Sequence, residues 1–431
     1  MNKKNLPLPV KIVRRGFITL FNIFELPFYY FFGLFPRNKN LWIFCSWFGQ
    51  RYSDNSRMFF EYVNKNHPEI KTVWLSKNND VVRKLRAEGR NAFSSYSIAG
   101  LLCSLHAAKI FSTTGGEMSL FFCRNAEHYA LWHGMPLKKI LNDDTNSGGE
   151  SANSAFRRKT SLILRKLFPW KVFLEQKKLS TVANSEFFVP FLKTAFNLPD
   201  EKIFRTGSPR CDTLFAHRKE PLLEKIRGQF PESKIILYMP TFRTAEWTGD
   251  VFNPFDEKYG FDLDEFLATL ERQKSVLVYK PHFSDLRFIK TVSQKNSASR
   301  LITINDSDYD ELYNFVGQVD MLMTDYSSIY FDFIATKKPV VLLPFDYDFY
   351  IKYARGHYFN YFENMEGAKA KNWQEFYRIL EEKSYSPVSE KTRKKFAEYL
   401  DGKCCERLWN KITVYNFVGQ VDMLMTDYSS I

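Results

Sequence analysis

The chain has 431 residues, of which 45% are hydrophobic and 17% aromatic; this composition is that of a globular protein and excludes an intrinsically disordered one. The length exceeds what one hydrophobic core usually organises, which predicts two domains. A net charge of +13 favours an anionic partner: a phosphate-bearing substrate, an acidic lipid or a nucleic acid. The six cysteines have no zinc-type spacing and fit a reducing compartment.

Residues 1–40 form a basic and aromatic segment that we expect to associate with a membrane without spanning it. Several lysines and arginines precede the aromatic-rich run 17–35, which contains Asn22, Glu25 and Pro27. A spanning helix needs about 20 apolar residues without a charge near its middle. This segment is better suited to lie in the interface, with its basic residues toward anionic headgroups. A buried core helix is the alternative, because short apolar runs are ambiguous.

Residues 41–150 alternate predicted strands with predicted helices. The predicted strands are LWIFCSW, KTVWLS, KIFSTT and HYALWHG, and the predicted helices are SRMFFEYVNKN, VVRKLRAEG and SIAGLLCSLHAA. Strands separated by helices of this length indicate βαβ units and a parallel sheet. The sequence therefore predicts an N-terminal Rossmann-like domain.

Residues 151–180 are predicted to be a basic amphipathic linker, following a polar stretch that begins at Asp143. Basic residues from Arg157 to Lys178 alternate with apolar ones such as Leu167 and Trp170. Such a pattern is typical of a helix that binds a membrane surface. A solvated helix docked on the protein is the alternative.

Residues 181–400 repeat the alternation, which predicts a second Rossmann-like domain. Its predicted strands are LSTVAN, IFRTG, KIILYMP, SVLVYKP, LITI, VDMLMT and VVLLP, and its predicted helices include EFFVPFLKTAF and LDEFLATLER. The expected fold is thus α/β, with two doubly wound domains facing a cleft. In such sheets ligands bind beyond the carboxyl ends of the strands.

Polar clusters follow several of these predicted strands. The first is His133-Gly134, placed between a strand and a turn, where a histidine suits general base work. Three more lie in the second half: Thr206 to Asp212 with Arg210, Tyr238 to Arg243, and Tyr279 to His282 with Lys280. Arginine offers a bidentate fork to phosphate, and lysine offers a point charge. Several such clusters at one sheet edge predict a diphosphate pocket, although each arginine alone is more often a surface ion pair.

The segment DMLMTDYSSIYFDF predicts a strand, a hydroxyl-rich turn with Ser327 and Ser328, and a helix. A helix start offers free N–H groups and the positive end of a dipole to an anion. The alternative is that the serines only cap the helix. Seventeen residues, 313–329, recur at 415–431 without the helix that should follow them. We therefore expect the tail 401–431 to hold a partial duplicate without a catalytic role.

Other classes of site have little support in the sequence. There is no HExxH motif, P-loop or GxGxxG motif, and no DxD string or His/Cys cluster with ligand spacing stands out, so neither a metal nor a cofactor is predicted. No helix-turn-helix, zinc-finger or RRM signature accompanies the positive charge, which argues against a nucleic-acid partner.

Five motifs together, WHGMPLKKI, TGSPRCDTLF, ILYMPTFR, YKPHF and TDYSSIYFDF, resemble in order and spacing the CDP-glycerol glycerophosphotransferase family. The resemblance extends from about Leu41 to Lys369. It implies a GT-B-like fold, peripheral attachment to the cytoplasmic face of the membrane, and transfer of a polyol phosphate from a CDP-activated donor to a hydroxyl of a growing cell-surface polymer. The implied donor is CDP-glycerol or CDP-ribitol, and the implied acceptor is a polyol phosphate or glycan on a lipid carrier. The alternative is a GT-B glycosyltransferase with a nucleotide-sugar donor.

The resemblance also implies roles for individual residues. His133 is similar to the base that acts on the acceptor hydroxyl, and His282 to a ligand of the donor phosphate. The residues that fall on the substrate-binding motifs are Gly134, Arg210, Asp212, Thr241, Arg243, Lys280, Thr324, Asp325, Ser327, Ser328 and Asp332. Met135 departs from the family, which usually has a threonine at this position, and this bears on the choice of acceptor.

Overall fold

The structure is a computed structural model. It describes residues 8–144, 166–171, 174, 178–241, 243, 252–281, 300–306, 308–309, 311–353 and 356–413, with only the backbone for 8–19 and 353. His282, most of the predicted basic linker and the duplicate at 415–431 lie outside the described residues. The chain divides into unit 1, residues 1–133 and 149–181, and unit 2, residues 134–148 and 182–431. The domain limits drawn from the sequence at residues 40, 150, 180 and 400 stay predictions.

Unit 1 is built on a parallel sheet. Its strands are β1 Asn38–Phe44, β2 Lys71–Ser76, β3 Ala92–Ser94, β4 Ala107–Ser112, β5 Glu127–Ala130 and β6 Leu179–Val182; its helices are α1 Leu8–Phe32, α2 Asp54–Asn66, α3 Asn79–Ala87 and α4 Ile98–His106. The strands pair in the order β3-β2-β1-β4-β5-β6, and every pair is parallel. β1 is buried from Leu41 to Phe44, as expected for a central strand covered on both faces.

Unit 2 contains a second parallel sheet. The strands of this sheet are β8 Lys234–Tyr238, β9 Ser275–Tyr279, β10 Leu301–Thr303, β11 Met321–Thr324, β12 Val340–Leu342 and β13 Ala368–Lys369. The two-residue strand β7 Ile203–Phe204 also lies in unit 2 but does not belong to this sheet. The helices of unit 2 are α5 Val189–Phe196, α6 Pro221–Gln229, α7 Leu263–Arg272, α8 Leu312–Gln318, α9 Ile329–Phe333, α10 Tyr347–Tyr353, α11 Tyr361–Asn364, α12 Trp373–Glu381 and α13 Glu390–Ala397, and residues 404–413 are also helical. Strands β8 to β13 pair in the order β10-β9-β8-β11-β12-β13, all in parallel.

Short 3-10 turns connect many of these elements: Trp47–Gly49, Leu141–Asp143, Pro169–Lys171, Glu186–Phe188, Asp200–Lys202, Pro209–Phe215, Glu257–Tyr259 and Ile334–Thr336. The core of unit 2 lies between its sheet and helices α7 and α12, where Trp373 is fully buried against Phe255 and Phe266. The prediction of two doubly wound parallel α/β domains is confirmed.

Candidate active site

His133 follows β5 on a turn of unit 1. The N–H of Leu131 still donates to the carbonyl of Ser112 on β4 (2.8 Å), and the chain then turns sharply because Trp132 has a φ of 56°. The half-buried imidazole of His133 lies close to two indoles, with ring centroids 4.3 Å from Trp132 and 5.5 Å from Trp47. The histidine predicted as the base is therefore held at the carboxyl end of a strand, where ligands of such sheets bind.

Three of the predicted residues meet in unit 2. Gly134 has a φ of 142°, and a Cβ placed on it would lie 2.4 Å from Ser328 Oγ and 3.3 Å from Arg210 Nη2. Gly134, Arg210 and Ser328 therefore form one close-packed group. Only glycine fits at position 134, both because of its backbone conformation and because of this approach.

Arg210 is fixed by an internal ion pair. Its guanidinium donates to Asp332 Oδ2 (2.8 Å), which also accepts the Tyr313 hydroxyl (2.6 Å), while Asn184 Nδ2 donates to Oδ1 (2.9 Å). Arg210 is 4% exposed and Asp332 is 0% exposed. Burial raises the pKa of the Tyr313 hydroxyl well above its ordinary value, so this group stays a neutral donor. The network holds Arg210 Nη2 close to Gly134.

Arg243 is held even more completely. It donates to both oxygens of Asp346 (2.7 and 3.0 Å), to Asp325, and to the carbonyl of Thr241 (2.5 Å). Burial alone would lower the pKa of Arg243, but Asp325 and Asp346 raise it well above its usual range. We expected its fork to face a phosphate. In the structure, most N–H groups of the Arg243 guanidinium donate to Asp346, Asp325 and Thr241. A direct contact between Arg243 and a ligand stays a prediction.

The turn after β11 separates buried from accessible groups. Thr324 Oγ1 donates to the carbonyl of Met239 (2.7 Å), and Asp325 Oδ1 accepts the N–H of Thr241 (2.7 Å), so these two side chains tie β11 to the end of β8. Ser327 and Ser328 are partly exposed, and the side chain of Ser328 makes no capping hydrogen bond to α9. The hydroxyl of Ser328 is therefore not used as a cap. However, α9 has only five residues, so its dipole is weaker than the sequence suggested.

Two predicted residues have other partners. The carboxylate of Asp212 accepts the N–H groups of Cys404 (2.7 Å) and Cys405 (2.8 Å), which caps the helix at 404–413. This gives Asp212 a structural contact, and its assignment to the substrate stays a prediction. Lys280 Nζ lies 3.0 Å from Asp306, at the ends of two neighbouring strands of the sheet.

Sequence reasoning missed Asp346, Tyr313 and His357. Asp346 follows β12, so the same strand-end rule could have found it. Tyr313 and His357 carry no such signal. The ring of His357 is surrounded by four tyrosine rings at 6.0 to 6.5 Å, and neither of its ring nitrogens has a hydrogen-bond partner among the described residues. Burial, assisted by Lys138, lowers the pKa of His357 to about 4.

A cavity of about 780 Å³ opens beside Asp346. It is lined by aromatic and charged side chains, among them Tyr259 and Phe345, whose rings stack at 5.3 Å, and by Lys258 and Lys371. Its volume is in the range of small-molecule sites. Within the described residues, no group of three or more His, Cys, Asp or Glu side chains could hold a metal ion.

The sequence profile of the CDP-Glycerol:Poly(glycerophosphate) glycerophosphotransferase family matches residues 28–414. The chain belongs to this family. The resemblance indicated by the five motifs is thereby confirmed, and the match includes every residue predicted for the site.

Relatives of this family member carry the names of enzymes of teichoic acid synthesis. A teichoic acid poly(glycerol phosphate) polymerase of Staphylococcus epidermidis is 27% identical over 383 residues, which cover 84% of this chain and 48% of that protein. A teichoic acid glycerol-phosphate transferase of Staphylococcus aureus is 25% identical over 418 residues, covering 91% and 98%. The chain thus spans about half the length of the first relative and nearly all of the second.

Solved structures agree on the fold of this family member. The wall teichoic acid polymerase TagF is 21% identical with a TM-score of 0.67, over 96% of this chain and 99% of that chain. A putative UDP-N-acetylglucosamine 2-epimerase from Listeria monocytogenes is 13% identical with a TM-score of 0.51, over 88% and 97%. These likenesses confirm the GT-B-like α/β fold class and leave the chemistry to be argued from the site.

Proposed function

We propose that this protein transfers glycerol phosphate or ribitol phosphate from a CDP-activated donor to a hydroxyl of a growing cell-surface polymer, releasing CMP. The observation that carries the proposal is the family match over residues 28–414. The names of the relatives, which include glycerol-phosphate and ribitol-phosphate polymerases, support a polyol-phosphate donor. The acceptor we propose is a polyol phosphate or glycan on a lipid carrier.

The proposed step is a displacement at phosphorus. The acceptor oxygen bonds to the phosphorus that carries the polyol, the bond from that phosphorus to the bridging oxygen breaks, and CMP leaves with this oxygen. His133 takes the proton of the acceptor hydroxyl. Such reactions depend on positioning and on neutralising charge more than on covalent help from the protein.

We assign the donor phosphates to the group formed by Gly134, Arg210 and Ser328, with Lys280 and His282 as further ligands. Arg210 supplies positive charge while Asp332 and Tyr313 hold its orientation. Preorganised donors of this kind stabilise the charge that develops in the transition state. The turn that contains Ser327 and Ser328 is held in place by the hydrogen bonds among Asp325, Arg243 and Asp346.

The test is CMP release from CDP-glycerol and CDP-ribitol, with UDP-glucose in parallel and a polyol-phosphate acceptor in each assay. We expect CMP from a CDP-polyol and no UDP from the nucleotide sugar. His133→Ala should lower turnover by about 10²-fold, the usual loss when a general base is removed, without weakening donor binding. The exposed His217 provides a control, since His217→Asn should not change turnover. Release of UDP alone would assign a glycosyltransferase instead.

We further propose peripheral attachment to the cytoplasmic face of the membrane through α1. One side of this helix packs on unit 1, where Tyr29 is buried with Leu120, Phe168 and Trp170. Apolar side chains of α1 and the residues just after it are exposed: Leu20, Phe21, Ile23, Phe24, Phe28, Tyr30, Phe31 and Leu34. None of the helices in the described ranges has the length and hydropathy of a membrane span. A helix with one packed side and one exposed apolar side suits the interface of a bilayer.

A further inference from the structure

A side chain at the N-terminus of α2 forms hydrogen bonds with the backbone directly before His133. Asn55 is fully buried, and its Nδ2 donates to the carbonyl oxygens of Leu131 (3.1 Å) and Trp132 (2.9 Å). Two hydrogen bonds are all that one amide NH₂ group can donate. Both of these hydrogen bonds go to the two residues that precede His133 in the chain.

The neighbouring residue, Asp54, holds the indole ring of Trp47, which lies beside His133. Its Oδ2 accepts the indole N–H of Trp47 at 3.0 Å, and its Oδ1 accepts the N–H of Asn55 at 2.7 Å. The Trp47 ring is the one whose centroid lies 5.5 Å from that of His133. Two adjacent side chains therefore fix both the backbone before the imidazole and an aromatic wall beside it.

The backbone at these positions is unusual. Trp47, Asp54 and Trp132 have φ values of 42°, 67° and 56°, in the left-handed region that side chains other than glycine rarely adopt. Each such residue costs on the order of 1 kcal/mol or more and persists only where the surroundings hold it. The hydrogen bonds of Asp54 and Asn55 supply that restraint.

We infer that Asp54 and Asn55 are positioning residues for His133. This inference rests on the proposed function, in which His133 is the base. A base must lie within about 3 Å of the oxygen whose proton it removes, and a displacement of about 1 Å can cost on the order of 10²-fold in rate. Asn55 fixes the backbone from which the His133 side chain extends. Asp54 fixes the position of the Trp47 indole beside the imidazole.

The first test compares two asparagines of the same helix. Asn55→Ala should lower kcat for CMP release at least about tenfold and leave the KM for the donor unchanged. Asn64→Ala is the matched control, because Asn64 also makes side-chain hydrogen bonds, to Phe60 and Thr72, at the far end of α2. It should leave kcat unchanged. Equal kcat values for the Asn55→Ala variant and the parent protein would overturn the inference.

A double substitution separates positioning from a general structural role. If Asn55 acts through His133, then Asn55→Ala combined with His133→Ala should be no slower than His133→Ala alone. Losses that multiply would show that Asn55 acts elsewhere and would overturn the inference. Full turnover by His133→Ala would instead refute the base assigned in the proposed function.

Substitutions of Asp54 give a second test of the inference, which does not depend on the folding of the Asn55→Ala variant. Asp54→Asn keeps one oxygen that can accept the indole N–H and loses the acceptor for the N–H of Asn55, whereas Asp54→Ala removes both acceptors. We expect the asparagine variant to retain most of kcat and the alanine variant to lose at least about tenfold, with folding checked by thermal unfolding. An Asp54→Ala variant with the kcat of the parent protein would remove Asp54 from the positioning role.

Discussion

Gly134 shows how much can depend on the absence of one methyl group. A Cβ at this position would lie 2.9 Å from Ser328 Cβ, which rotation of the serine hydroxyl cannot relieve. A backbone or a neighbouring element must therefore move. We predict that Gly134→Ala lowers CMP release by about 10²-fold, since displaced site groups lose their preorganised geometry, as measured by initial rates.

The control for this substitution is Gly228→Ala. Gly228 lies in α6 with nothing within 4 Å of the added Cβ. Alanine is favoured over glycine in a helix by about 1 kcal/mol, so this variant should unfold at a slightly higher temperature with unchanged turnover. If Gly134→Ala kept the parent rate, the packing of Gly134 on Ser328 would have no part in the site.

His357 should make the protein sensitive to acid. Its folded pKa of about 4 lies below the ordinary value of about 6.5. Below pH 6.5 the unfolded chain takes up the proton first, so stability falls as the pH drops through this window, by about 1.4 kcal/mol per pH unit at most. We predict that His357→Phe flattens the fall in unfolding free energy between about pH 6.5 and 4, measured by urea unfolding.

The effect of this substitution should be partial. His128 is also buried, with its pKa lowered to about 4 by burial, and it keeps its share of the acid sensitivity. His217→Asn, at an exposed histidine, is the control. An unaltered slope in the His357→Phe variant would contradict the neutral, half-buried imidazole that the four tyrosines surround.

At the scale of elements, ion pairs between strand ends hold the edge of the second sheet together. Asp346 after β12 pairs with Arg243 after β8, and the two side chains are 7% and 2% exposed. Removing one partner of a buried pair leaves an uncompensated charge and costs about 3–5 kcal/mol. We predict a loss of this size in the unfolding free energy of Asp346→Ala.

An exposed pair in the same unit provides the comparison. Arg272 and Glu381 are joined at 2.8 Å, and their side chains are 54% and 45% exposed. Glu381→Ala should therefore cost no more than about 1 kcal/mol. Similar losses for the two variants would mean that Asp346 is effectively solvated.

How far the sequence predicts these elements depends on their length. LDEFLATLER and KTVWLS were assigned to the residues that form α7 and β2, because ten-residue and six-residue patterns show their period clearly. Strands β3 and β13, of three and two residues, are too short to show one. The partner of Arg243 was also missed, since Asp346 lies 103 residues further along the chain and only the folded sheet brings them together.

For the whole molecule, we predict binding to anionic vesicles that weakens as salt rises, because screening removes the attraction of basic residues to headgroups. Replacing two exposed apolar residues of α1, as in Phe24→Ser with Phe28→Ser, should reduce the fraction that sediments with vesicles. Phe362→Ser, at an exposed phenylalanine of unit 2, should not. Binding that neither salt nor the α1 substitutions reduce would contradict this mode of attachment.

Translation delivers the two units in interleaved pieces. Residues 134–148 of unit 2 leave the ribosome before residues 149–181, which unit 1 needs to complete its sheet with β6. A cut after residue 133 or 148 takes β6 away from unit 1, and a cut after residue 181 separates Gly134 from the remainder of unit 2. No single cut of the polypeptide therefore yields two fragments that each contain a whole unit.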